Sequence, residues 1–157
     1  MSIRALCGGV LMLCLALGAT RPAGAVSVVE PIALGNWRTE PGTFALGAGA
    51  AIVALSVDIV PAFEYVFEDG GTDWAIDLDA HLPVLALPLV ALYMGGGVAM
   101  YSHNPGHGDS STKTGADALF GAKASIRRLK PFAEIRYTTA GPDGVTLMFG
   151  TRFHLFD

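Results

Sequence analysis

Cysteine is almost missing from this 157-residue chain: Cys7 and Cys14 are the whole supply, and both lie near its start. A disulfide scaffold is therefore excluded as the source of stability. Charge is scarce too, at 15% of residues, and base is scarcer than acid, with 10 Lys and Arg against 14 Asp and Glu. That balance argues against nucleic acid as a partner. Uninterrupted apolar runs of membrane-helix length are lacking except at Leu82–Tyr101, where Pro83, Pro88 and Gly95-Gly96-Gly97 interrupt the pattern. What is plentiful is apolar side chain, 52% of the total, in a chain of single-domain length.

The amino terminus reads as an export signal. Arg4 is followed by an uncharged run from Ala5 to Thr20, and Ala23-Gly24-Ala25 supplies an A-x-A cleavage site. Residues 1–25 are expected to be removed, leaving 26–157 as one domain. Both cysteines would go with them, so lipidation at Cys14 is not expected; Leu13 is also large where a small residue should precede a lipidated cysteine. The mature chain would keep 8 basic and 14 acidic residues, a net charge of −6.

Period-two alternation dominates the rest of the chain. Near the end, Val145, Leu147, Phe149, Thr151, Phe153 and Leu155 share one parity, and Thr146, Met148, Gly150, Arg152 and His154 the other. Pro131–Thr138 behaves alike, with Ala133, Ile135 and Tyr137 against Glu134, Arg136 and Thr138. So do Ser56–Phe67, Trp74–Leu82 and Ala116–Ile126. Successive side chains of a strand point to opposite faces, so these are strands with one apolar face and one charged face. A soluble sandwich turns the charges outward, whereas a membrane barrel turns them inward.

The fold class expected is all-β: an eight-stranded antiparallel up-and-down transmembrane barrel. Polar connections at NWRTEPG, EDGGTD, the histidine loop and AGPDG alternate with tight ones near Ala54–Ser56, Pro83–Pro88 and Arg127–Lys130. Val26–Leu34 is a poor strand because of Pro31, yet the topology requires it. The glycine-rich strand through GGGVAMY gives no clear sign of which parity faces outward.

The glycine strand GGGVAMY, the phrase RRLKPFAEIRYT and the closing GTRFHL together resemble the small outer-membrane β-barrel proteins of the OmpA and OmpX type, over essentially the whole mature length. The resemblance implies an outer-membrane location, contact with membrane lipid and lipopolysaccharide, a monomer, and recognition of the last strand by the barrel-assembly machinery. In that family the last strand usually ends on an aromatic in phase with the lipid-facing positions. Here the in-phase series stops at Leu155, and Phe156 is out of phase.

The lipid face is expected to hold Val57, Ile59, Phe63, Tyr65, Trp74, Ile76, Phe120, Ile135, Phe149 and Phe153. The inward set is Asp58, Glu64, Asp77, Asp79, His81, Lys123, Glu134, Arg136, Arg152 and His154. Acid lies mainly on one wall and base on the other. An eight-strand interior is just wide enough to be filled by its own side chains, so this set is expected to form a structural plug of ion pairs rather than a pore. Arg136 and Arg152 are expected to pair with Glu134, Glu64 or Asp77. No enzyme activity, cofactor or metal is expected. Three alternatives have residues to support them: an outer-rim lipopolysaccharide deacylase using His103 with Ser102, Ser110 or Ser111; a metal at His103, His107 and Asp109; and an inner-membrane helix at Leu82–Tyr101.

Overall fold

The computed structural model describes residues 28–39, 42–54, 56–67, 71–106, 108–141 and 144–154. The leader and its cleavage site lie outside the described residues, as do His107 and the last three residues with Phe156. Eight strands run in order: β1 (Val28–Arg38), β2 (Phe44–Ala54), β3 (Val57–Phe67), β4 (Thr72–Ala86), β5 (Val90–Asn104), β6 (Ser111–Ala124), β7 (Leu129–Thr138) and β8 (Gly144–Phe153). Each pairs antiparallel with its sequence neighbour, and β1 closes the ring on β8 from Ile32↔Arg152 to Arg38↔Thr146. Closure removes the free edges that an open sheet would leave in lipid.

The alternation of the sequence becomes the inside and outside of this barrel. Phe63, Tyr65, Phe120, Ile135, Phe149 and Phe153 are exposed on the outer face, and Val57, Ile59, Trp74 and Ile76 share their parity. Most of the opposite parity is buried. Leu82–Tyr101 is not a helix: it supplies the end of β4, a turn at 87–89 and most of β5. No helix among the described residues is long and apolar enough to cross a membrane.

Three expectations change. Pro31 does not spoil the first strand, which runs on through Asn36 and Trp37 to Arg38. Pro83 does not end the fourth; it pairs with Tyr93, a bulge lies between Pro83 and Leu85, and the strand continues to Ala86. Three connections at the loop end, 39–43, 68–71 and 105–110, are shorter than the polar stretches suggest, because the strands continue through polar residues, and the fourth, 139–143, is as long as AGPDG. Polar side chains do not end a strand once it has left the apolar belt. The turns at the opposite end are shorter still at 55–56, with 87–89 and 125–128 beside it.

The facing of β5 is fixed by two tyrosines. Tyr93 and Tyr101 point inward, while Met94, Val98 and Met100 take the outward parity. Glycine makes room for both the strand and the ring. A Cβ on Gly121 would fall 2.6 Å from the Tyr93 ring, and one on Gly97 would fall 2.2 Å from the Leu78 carbonyl oxygen.

Candidate functional site

The barrel interior holds three tiers of polar side chains. At the tight-turn end, Asp58 on β3 receives Nζ of Lys123 at 2.9 Å and Nη1 of Arg152 at 2.6 Å. Arg152 is almost completely buried, and its second terminal nitrogen lies 3.0 Å from Nδ1 of His81. Glu30 pairs with Lys130 and stands 2.9 Å from Nδ1 of His154. Here cations are plentiful for the carboxylates they meet.

The middle tier is built the other way round. Arg136 on β7 reaches Asp79 at 2.5 Å, Glu134 at 3.0 Å, Asp77 at 3.2 Å and Asp117 at 3.9 Å. One guanidinium therefore serves four carboxylates from three strands. Its planar fork makes this possible, because its N–H groups diverge in one plane. The Tyr93 hydroxyl donates to Glu134 at 3.1 Å, and its ring stacks on His81 with centroids 4.9 Å apart. Tyr93 thereby bridges the middle tier to the tight-turn tier.

Toward the loop end, Asn36 donates to Glu64 and Tyr101 donates to Asp73. Arg38 lies 4.0 Å from Glu64 and stacks over the Tyr101 ring, 4.7 Å from its centroid. Asp73 also takes Nδ1 of His103 at 2.8 Å and the Asn104 backbone N–H at 3.2 Å. A cavity of about 20 Å³ remains between Asn36, Arg38, Glu64, Asp77, Arg136 and Met148, about the room one water molecule needs.

All ten residues assigned to the interior thus share the inward face, with Lys123 and His154 partly exposed near the tight-turn rim. Their pairing differs in part from expectation. Arg136 does take Glu134 and Asp77, but Arg152 goes to Asp58 and His81, and Glu64 falls to Asn36 and Arg38. Sequence reasoning missed Glu30, Asn36, Arg38, Asp73, Tyr93, Tyr101, Asp117 and Lys130. The signal was present in β1, where Glu30, Ile32, Leu34, Asn36 and Arg38 keep one parity straight through Pro31. With these included, the described residues set eight inward carboxylates (Glu30, Asp58, Glu64, Asp73, Asp77, Asp79, Asp117, Glu134) against five fixed cations (Arg38, Lys123, Lys130, Arg136, Arg152). The interior is acidic on balance, so the two walls do not neutralise one another.

The serine and histidine of the rim part company. Ser102 takes the outward parity of β5 and accepts from the Thr112 hydroxyl at 3.5 Å, whereas His103 faces inward onto Asp73. Ser102 and His103 therefore do not form a pair. His103 is engaged by the Asp73 carboxylate through Nδ1.

No family model and no curated protein sequence matches the chain. Solved structures do. The N-terminal β-barrel domain of Pseudomonas aeruginosa OprF superposes with a TM-score of 0.63 at 18% identity, covering 80% of this chain and 96% of that one. Neisserial surface protein A gives 0.60 at 14% identity, covering 85% and 98%. A de novo designed protein, TMB2.3, gives 0.59 at 13% identity, covering 85% and 98%. The fold is that of small transmembrane β-barrels. At these identities the likeness reaches no further than the fold, and a designed protein among the matches shows that the architecture carries no particular activity with it.

Proposed function

We propose that the protein is a small, non-enzymatic barrel of the bacterial outer membrane, monomeric, with a closed interior, contributing to envelope integrity or to contacts at the cell surface. The observation that carries this reading is the arginine-centred middle tier, in which side chains from β4, β6 and β7 meet across the lumen with a water-sized cavity beside them. An ion crossing this interior would have to displace Arg136 from its carboxylates. The apolar outer belt supports immersion in lipid, and the fold's neighbours support the outer membrane as the location, where lipopolysaccharide would meet the loop end. Assembly through the last strand, and the leader cut after Ala25, belong to the same reading. Planar-bilayer recording with refolded protein tests closure. Quiet traces are expected, and stable ion-selective steps would replace the plug with a pore.

A second reading is favoured by one feature of register. Asp73, His103 and Ser111 are successive cross-strand partners on β4, β5 and β6, all of inward parity at the loop end. A carboxylate on Nδ1 of a histidine, with a hydroxyl on the strand beyond, is the order that acyl-transfer sites use. Under this reading the rim would hydrolyse an ester of lipopolysaccharide. Deacylation by the wild type, lost in Ser111→Ala and kept in Ser102→Ala, would establish it. Absence of deacylation by folded wild type removes it.

A further inference from the structure

In the β4–β5 hairpin, β4 outruns β3 at the tight-turn end, whereas β5 stays paired with β6 back to Val90↔Ala124. β3 pairs with β4 only as far as Asp58↔His81, and among the described residues no strand pairs with the β3 side of β4 from Leu82 to Ala86. All nine residues from Leu82 to Val90 are apolar and exposed, and Leu89 reaches 70% exposure. The turn at 125–128 is tied to this tip, since the Ser125 N–H donates to the Leu89 carbonyl at 2.9 Å. That turn adds exposed Ile126, Arg127 and Arg128.

Two physical demands then point to one location. The side chains of the tip favour hydrocarbon, yet a strand edge with no partner strand is costly away from water. The interfacial zone of a leaflet satisfies both, with acyl chains for the leucines and headgroups or water for the backbone. Strand addition by another protein fits less well, because Pro83 has no N–H to donate and the bulge after it disrupts the edge. The neighbouring arginines select the charge of the headgroup, since guanidinium forks match phosphate oxygens.

We propose that the tip of the β4–β5 hairpin and the 125–128 turn form a phospholipid seat, with Leu87 and Leu89 in the acyl region of the leaflet at the tight-turn end and Arg127 and Arg128 on anionic headgroup phosphates. The proposal rests on the transmembrane reading of the barrel. It adds a lipid contact at one point on the rim, below the apolar belt common to the whole barrel.

The test places one indole at the tip. Leu89→Trp in a Trp37→Phe, Trp74→Phe background is refolded as the full chain into phosphatidylcholine vesicles whose acyl chains carry bromine either near the headgroup or near the chain end. Stronger quenching by the shallow bromines is expected. An unquenched, water-like emission overturns the seat. A blue-shifted emission without quenching also overturns it, by showing that protein, such as a second copy, covers the tip. Phe149→Trp in the same background is the control: if bromines near the chain end do not quench it, the transmembrane reading itself fails, independently of the seat. Headgroup choice is read by replacing the brominated lipid with brominated phosphatidylglycerol at the same mole fraction. Quenching of the Leu89→Trp indole should rise, by up to about fivefold per arginine at low salt, and return to the phosphatidylcholine level in Arg127→Gln/Arg128→Gln. Equal quenching by the two lipids with both arginines in place overturns the anionic assignment.

Discussion

Arg136 and Arg152 are both buried arginines on adjacent strands, and they sit in opposite electrostatic surroundings. Around Arg136 one cation meets Asp77, Asp79, Asp117 and Glu134. Around Arg152 the ratio reverses: Asp58 already has Lys123, and the other partner of Arg152 is a histidine. The lesson is that burial alone does not rank these residues. What ranks them is how many charges would be left without a counter-charge when each is removed. Buried ions are tolerated only while their partners offset desolvation, so the damage scales with the orphaned set.

The comparison is broken most forcefully at Arg136. Arg136→Ala should lower stability by ~3–5 kcal/mol, the range for stripping the partner from a buried charge. Urea unfolding in lipid vesicles, followed by tryptophan emission and heat-modifiable gel migration, measures it. Arg136→Lys should recover only part of the loss, since an ammonium cannot present a planar fork to several carboxylates. A loss below that seen at Arg152 would mean that water, rather than the guanidinium, compensates the middle tier.

A control on the other face comes next in size. Phe149 and Ile135 are exposed on the outer surface, 50% and 56% respectively, on neighbouring strands of the belt. Arginine at either should cost ~2–4 kcal/mol if the site lies near the bilayer midplane. The same charge that stabilises the inside should thus damage the outside. A neutral outcome in vesicles would show that the apolar face does not meet lipid.

Much of this architecture was legible because barrels write inside and outside as odd and even. Strands β3 and β8 alternate so plainly that their inward charges could be named from the sequence, and on β6 and β7 the same alternation gave Lys123, Glu134 and Arg136 but left out Asp117 and Lys130. Legibility failed where that alternation lost contrast. In β5 both parities are small or apolar, and only Tyr93 and Tyr101, through their hydroxyl partners on β7 and β4, reveal the facing. In β1 a proline disguised a parity that nevertheless ran from Glu30 to Arg38. The partner of each arginine was illegible for a different reason. Pairing depends on strand stagger, and a shift of two residues would have given Arg152 another carboxylate without altering a single side-chain facing.

Smaller still is the expected effect of Arg152→Gln. Two charge-assisted contacts are lost, to Asp58 and His81, but Lys123 remains 2.9 Å from the same carboxylate. A loss of ~1.5–3 kcal/mol is expected, the range for hydrogen bonds to charged groups. The difference from Arg136→Ala is the quantity of interest, since both side chains are buried. If the two losses coincide, burial of the arginine governs and the count of orphaned carboxylates does not.

The mildest change sharpens the comparison within a single carboxylate. Lys123 and Arg152 share Asp58, yet the lysine side chain is 23% exposed and the arginine only 1%. Water near the tight-turn rim can replace the ammonium as it cannot replace the guanidinium, so Lys123→Gln should cost ~0.2–1 kcal/mol, as exposed ion pairs do. The Lys123→Gln/Arg152→Gln double variant should then lose more than the sum of the single variants. With either cation present Asp58 keeps a partner, and with neither it has none. A double-mutant cycle in the vesicle unfolding assay reads that excess directly, with ~0.5–3 kcal/mol expected for residues in one network. Strict additivity would show that Asp58 draws its compensation from elsewhere, and that the cation-rich tier is not redundant as its geometry indicates.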